Sequence, residues 1–172
     1  MNPVYVALDT PELSQALAMA ERVAPHVGGL KLGKEFLAAN GPQALLELKR
    51  FGLPIFADTK FHDIPKTVAG AVRATAKLGV HIVNVHASGG EAMLKAARDA
   101  TKDVDPATKI IAVTVLTSMS DADLAAVGQA TPARDQVLRL ATLTRACGLD
   151  GVVCSAHEIG RASCRERVSF LV

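Results

Sequence analysis

Two acids and a lysine, Asp58, Asp63 and Lys60, lie within six positions of one another in the segment FADTKFHDIPKT, Phe56 to Thr67, and are the first candidates for chemistry. Strand residues two apart face the same way, so Asp58 and Lys60 are expected to project side by side from a strand end, with Asp63 on the loop just beyond. Two carboxylates around an ammonium suit a site that holds fixed charge beside a bound molecule. The plain alternative is a solvated ion-pair cluster, which contributes little. Context favours the first: the preceding run Leu53 to Ala57 is apolar, as in a strand covered on both faces, and ligands of α/β proteins bind at the carboxyl ends of such strands.

The elements that must position these charges alternate along the chain. Val4 to Leu8 reads as a short strand ending in Asp9, followed by a helix capped by Thr10, opened by Pro11 and Glu12 and running to about Ala24. Gly29 to Leu32 is a second strand carrying Lys31. Helical material after it is broken at Asn40-Gly41-Pro42 and resumes from Gln43 to Phe51. Leu53 to Ala57 is the third strand, and Pro65 opens a helix to about Leu78. Val80 to Val85 is the fourth, leading through His86 and Ser88-Gly89-Gly90 into a helix from Glu91 to about Ala100. Lys109 to Leu116 is the fifth, ending at Thr117-Ser118. Helices at Asp121 to Val127 and Pro132 to Cys147 lead to a sixth at Gly151 to Cys154. Such regular alternation, with the polar candidates placed just after strands, predicts a (β/α)8 TIM barrel, of which about six of the eight units are present. An open doubly wound sheet is the alternative, although no glycine-rich phosphate fingerprint follows the first strand.

Composition narrows the classes further. With 172 residues, 49% hydrophobic and 3% aromatic, the chain suits one domain with a core of Val, Leu, Ile and Ala. Nineteen basic against seventeen acidic residues are mixed along it, which argues against nucleic acid or a membrane surface as partner. The N-terminus does not read as a signal sequence and no apolar run is long enough to span a bilayer, so a cytoplasmic protein is expected. Cys147, Cys154 and Cys164 lack metal spacing and are expected to be reduced thiols. No metal site is expected, and the scattered His26, His62, His81, His86 and His157 are read as structural.

FADTKFHDIPKT, with ALDT at the first strand, KLGKEF at the second and VTVLTSM at the fifth, resembles the bacterial orotidine 5'-phosphate decarboxylase family over roughly Val4 to Glu158. The resemblance implies a dimeric TIM barrel that converts orotidine 5'-monophosphate to uridine 5'-monophosphate and CO2 in pyrimidine biosynthesis, with no cofactor. It implies that Lys31, Asp58, Lys60 and Asp63 form an alternating charge array, Asp63 being contributed to the neighbouring subunit. Groups of opposite charge at ~4 Å attract by about 4 kcal/mol at an effective dielectric near 20, so such an array stays ionised. Asp58 is then expected to crowd the substrate carboxylate, and Lys60 to stabilise the C6 carbanion and protonate it.

The resemblance further implies that Asp9 and Lys31 bind the ribose and that Thr117 contacts the pyrimidine edge. By the same resemblance the segment Asp58, Thr59, Lys60, Phe61, His62, Asp63, Ile64, Pro65, Lys66 and Thr67 is expected to lie along the substrate, with Asp63, Ile64 and Thr67 completing the partner's site. By residue type alone, Asp9 also suits a helix start, Lys31 a snorkelling surface position and Thr117 a loop hydroxyl. Relatives sharing the DxKxxD pattern use magnesium on sugar phosphates, and an inactive barrel fragment is a third reading.

The family's late phosphate-binding residues have no counterpart here. Residues 1–158 are accordingly expected to form a partial barrel. Residues 159–172, whose stretch IGRASCRERV back-translates into a sequencing-adapter sequence, are expected to be a non-native tail whose Arg161, Arg165 and Arg167 grip no phosphate. A barrel left open in this way is expected to aggregate and to turn over little substrate.

Overall fold

A computed structural model describes residues 2–102 and 104–155. The segment 159–172, with Cys164 and the three late arginines, lies outside the described residues, as does His157.

Six parallel strands run in the order β1 (Tyr5–Ala7), β2 (Gly29–Leu32), β3 (Ile55–Phe61), β4 (Ile82–His86), β5 (Lys109–Val113) and β6 (Gly151–Val153). Each pairs with the next in sequence and the order never reverses. A doubly wound sheet changes direction at a switch point, so the winding is that of a TIM barrel, incomplete over the described residues. Helices α1 (Leu13–Val23), α2 (Lys34–Asn40), α3 (Ala44–Leu48), α4 (Pro65–Ala76), α5 (Gly90–Lys102), α6 (Asp121–Ala126) and α7 (Ala133–Ala146) make the crossovers. Among the described residues no helix is long and apolar enough to cross a membrane.

Period-two alternation divides each strand between two apolar regions. Leu30, Leu32, Ile55, Ala57, Val83, Val85, Ile110 and Ala112 pack with helix residues such as Val68, Val72, Leu94 and Ala97 in the main core. These helix positions recur at three- and four-residue spacing, and Pro65 supplies the preset φ that opens α4. The other strand face carries Phe56, Ile82 and Ile111, against which Tyr5 and Val153 pack. Tyr5 reaches this layer because its β2 neighbour is Gly29, where a Cβ would stand 2.2 Å from the ring. Across the space so freed, Tyr5 meets Phe56 edge to face at 6.5 Å between centroids.

Two local expectations are revised. The Thr10 hydroxyl does accept from the Glu12 N–H at 3.2 Å, but α1 begins only at Leu13, with Glu12 at the N-cap. The third strand extends four residues beyond Ala57, to Phe61, and its register against β4 slips: Ala57 pairs with Val83, whereas Phe61 pairs with Val85. Lys60, inside the slip, has φ +49°, so Asp58 and Lys60 do not belong to one regular pleated run.

Candidate active site

Above the Phe56–Ile82–Ile111 layer, one residue pair further along the same strand faces, stand Asp58 on β3, Asn84 on β4 and Val113 on β5. The Lys31 ammonium on β2 lies 3.2 Å from Asp58 Oδ2, and the Lys60 ammonium 2.5 Å from Asp58 Oδ1. The amide of Asn84 donates to the same Oδ1 at 2.7 Å. One carboxylate therefore lies between two ammoniums, at the carboxyl ends of three adjacent strands.

Lys31, Asp58, Lys60, Thr117, Val113, Leu116, Val153 and Cys154 enclose a cavity of about 270 Å³. The Lys31 and Lys60 side chains are about one quarter exposed and that of Asp58 only 11%, so the charges are lodged at the cavity wall. Burial on its own pushes the Asp58 carboxyl upward. The hydrogen bonds from Lys60 and Asn84 and the charges of Lys60 and Lys31 outweigh it and hold the group below the ordinary carboxylate range.

The remaining candidates are distributed unevenly. Thr59 is buried and its hydroxyl donates to the Asn84 backbone carbonyl at 3.0 Å, while Phe61 packs on the main core. His62, Asp63, Ile64, Pro65, Lys66 and Thr67 are all exposed at the start of α4, Ile64 to 66%. The Asp63 carboxylate accepts from the Ile64 N–H at 2.6 Å, and within one chain it forms no ion pair with Lys31 or Lys60. Asp9 is exposed just after β1.

His86, at the end of β4, faces His62 with 5.5 Å between ring centroids, and the two share a neighbouring cleft with Ser88, Thr114, Met119 and Gln129. Burial first, then the nearby positive groups His62, Lys34 and Lys60, lower the His86 pKa from its ordinary value. Among the described residues no group of three or more His, Cys, Asp or Glu side chains is arranged to hold a metal ion.

The model of the orotidine 5'-phosphate decarboxylase / HUMPS family matches residues 2–172. The chain belongs to this family. Among its relatives, a protein of Novosphingobium aromaticivorans named orotidine 5'-phosphate decarboxylase is 50% identical over 171 residues, covering 99% of this chain and 75% of its own. One of the same name from Sodalis glossinidius is 56% identical over 161 residues, covering 93% of this chain and 64% of its own. The crystal structure of orotidine 5'-phosphate decarboxylase from Lactobacillus acidophilus superposes with a TM-score of 0.88 at 37% identity, over 96% of this chain and 76% of that one. The chain thus spans between 64% and 76% of the length of these three proteins.

Asn84 belongs to no motif singled out in the sequence. Its signal there is a lone amide inside the apolar run IVNVH, and a buried polar side chain requires a partner.

Proposed function

We propose that this chain provides the charged wall of an orotidine 5'-monophosphate decarboxylase, with Lys60 as the group that meets the reacting carbon. The observation that carries this reading is the Lys31–Asp58–Lys60 cluster at the mouth of the half-barrel, in a chain of this family.

The substrate carboxylate is placed against ionised Asp58, where like charges repel. Cleavage of the bond between C6 and the carboxyl carbon removes that charge from the contact as neutral CO2 and leaves the electron pair on C6. Lys60 already points its ammonium into the cavity, so little reorientation is required as charge develops. Its proton then passes to C6, giving uridine 5'-monophosphate and a neutral amine that regains a proton from water. Lys31 and Asp9 bind ribose hydroxyls and Thr117 the pyrimidine edge.

The exposed Asp63, Ile64 and Thr67 are assigned to the cavity of a second copy in a homodimer, where Asp63 extends the alternation of charge. No organic or metal cofactor enters these steps. A cytoplasmic setting suits Cys147 and Cys154, both buried and reduced.

Release of labelled CO2 from carboxyl-labelled orotidine monophosphate tests the reading directly. Lys60→Ala is expected to lower turnover by at least about a thousandfold while leaving the circular dichroism spectrum intact. Turnover close to that of the unaltered protein would refute the role of Lys60. Because the family name also covers sugar-phosphate enzymes, the assay is repeated with a chelator: loss of activity that returns with magnesium would favour those relatives.

A further inference from the structure

Asn84 is only 1% exposed, yet it bonds to three successive residues of β3. Its Nδ2 donates to Asp58 Oδ1 at 2.7 Å, its Oδ1 accepts from the Lys60 backbone N–H at 2.6 Å, and its backbone carbonyl accepts from the Thr59 hydroxyl at 3.0 Å. The amide can take only one orientation. Turned over, it would set an oxygen against the Asp58 carboxylate and an NH2 against the Lys60 N–H.

These bonds fall where β3 departs from regular geometry. Between Ala57 and Phe61 the ladder to β4 slips, and the Lys60 N–H is taken by the side chain of β4. Lys60 sits there at φ +49°, a region unfavourable to a side-chain-bearing residue, which persists only where its surroundings impose it. Asp58 Oδ1 meanwhile receives both the Lys60 ammonium and the Asn84 amide, leaving Oδ2 to Lys31. An uncharged donor can orient the carboxylate without cancelling its charge, as a third ammonium would.

We propose that Asn84 is a positioning residue for the decarboxylase site, fixing the Asp58 carboxylate and the Lys60 backbone so that the Lys60 ammonium is delivered to the substrate. The proposal rests on the functional reading above. Asp58 faces Lys31 on β2, Lys60 on its own strand and Asn84 on β4; the His86 ring at the end of β4 interacts electrostatically with Asp58 and Lys60, and the Cys154 thiol beyond β6 lines the same cavity.

Asn84→Ala and the isosteric Asn84→Asp test it, through kcat, KM and the pH profile in the full chain. Asn84→Ala is expected to lower kcat about a hundredfold with KM changed by less than about threefold, since Asn84 orients the reacting groups without binding substrate. In Asn84→Asp the new carboxylate repels Asp58 at neutral pH. Once protonated it can donate as the amide does, so relative activity is expected to recover as pH falls, which a merely structural residue would not produce.

A kcat for Asn84→Ala within about threefold of the unaltered protein, or superimposable pH profiles for Asn84→Asp and that protein, would overturn the proposal. If the unaltered chain, its barrel left open, turns over too little substrate for comparison, kinetics test neither Lys60 nor Asn84. The 13C titration of the Asp58 carboxyl then decides on Asn84: a pKa higher in Asn84→Ala supports it and an unchanged one rejects it. Should Asn84→Ala not fold, Asn84→Asp carries the comparison alone, and an Asp58 titration unchanged by the added carboxyl rejects it.

Discussion

Asp58 is kept ionised in a place where burial alone would favour its protonated form, and the linkage to stability has a definite sign. Its folded-state pKa lies below the ordinary value, so its contribution is fully present above the unfolded pKa of about 3.9 and is lost as pH falls through the folded value. The melting temperature is therefore expected to drop below about pH 4, with a shallower slope in Asp58→Asn, as read by calorimetry across that range. His86 shifts downward as well, led by its burial. At about pH 6.5, where an ordinary histidine is half protonated, more than half of its rings are expected to be neutral. Histidine 15N NMR distinguishes the forms, and a His86 titration midpoint at or above the ordinary value would contradict this.

At the scale of the element, β2 and β3 illustrate two different uses of side-chain size. Gly29 leaves room for the Tyr5 ring to cross β2 and reach Phe56, which closes the apolar layer beneath the charges. Gly29→Ala is expected to push the ring aside and to cost about 1–3 kcal/mol, as overpacking does. Tyr5 is the chain's one tyrosine and there is no tryptophan, so its phenolate titration is a clean probe. Burial raises the Tyr5 pKa, and Gly29→Ala should bring it back toward the ordinary value. β3, by contrast, gives up regular pairing after Ala57 so that Asp58 and Lys60 can both turn to one mouth. The apolar run Leu53 to Ala57 leading into Asp58 is legible in the sequence, whereas the slip is not, because it depends on what β4 offers in place of a ladder bond.

For the whole molecule, the proposed second copy sets the expectation. Ile64 is 66% exposed at the start of α4, beside exposed Asp63 and Thr67. Buried in a twofold interface, such a side chain would contribute about 1.5–3 kcal/mol per copy. Ile64→Arg is therefore expected to raise the dimer dissociation constant by at least about tenfold, measured by sedimentation equilibrium. Turnover per chain should fall in step with dimer content if Asp63 serves the partner's cavity. A monomeric unaltered protein with undiminished activity would remove the shared site.

The order of the strands in the sheet, which decides for barrel winding, is read from the fold, whereas the number of strands, the helical crossovers and the strand ends that bear polar residues are legible in the sequence. These follow from local signals: apolar periodicity, prolines at helix starts, and glycines and polar residues between elements. The sequence also placed Asp58, Lys60 and Asp63 in one short segment and, through family resemblance, joined Lys31 and Thr117 to them. The fold alone settles that Asn84 reaches Asp58 across 26 residues of chain and that Lys60 takes a left-handed backbone, and it supplies the 3.2 Å contact, across 27 residues, of the Lys31–Asp58 pair that the resemblance had named. Those outcomes depend on which neighbouring strand faces each residue at a given register, and no local pattern contains that partner.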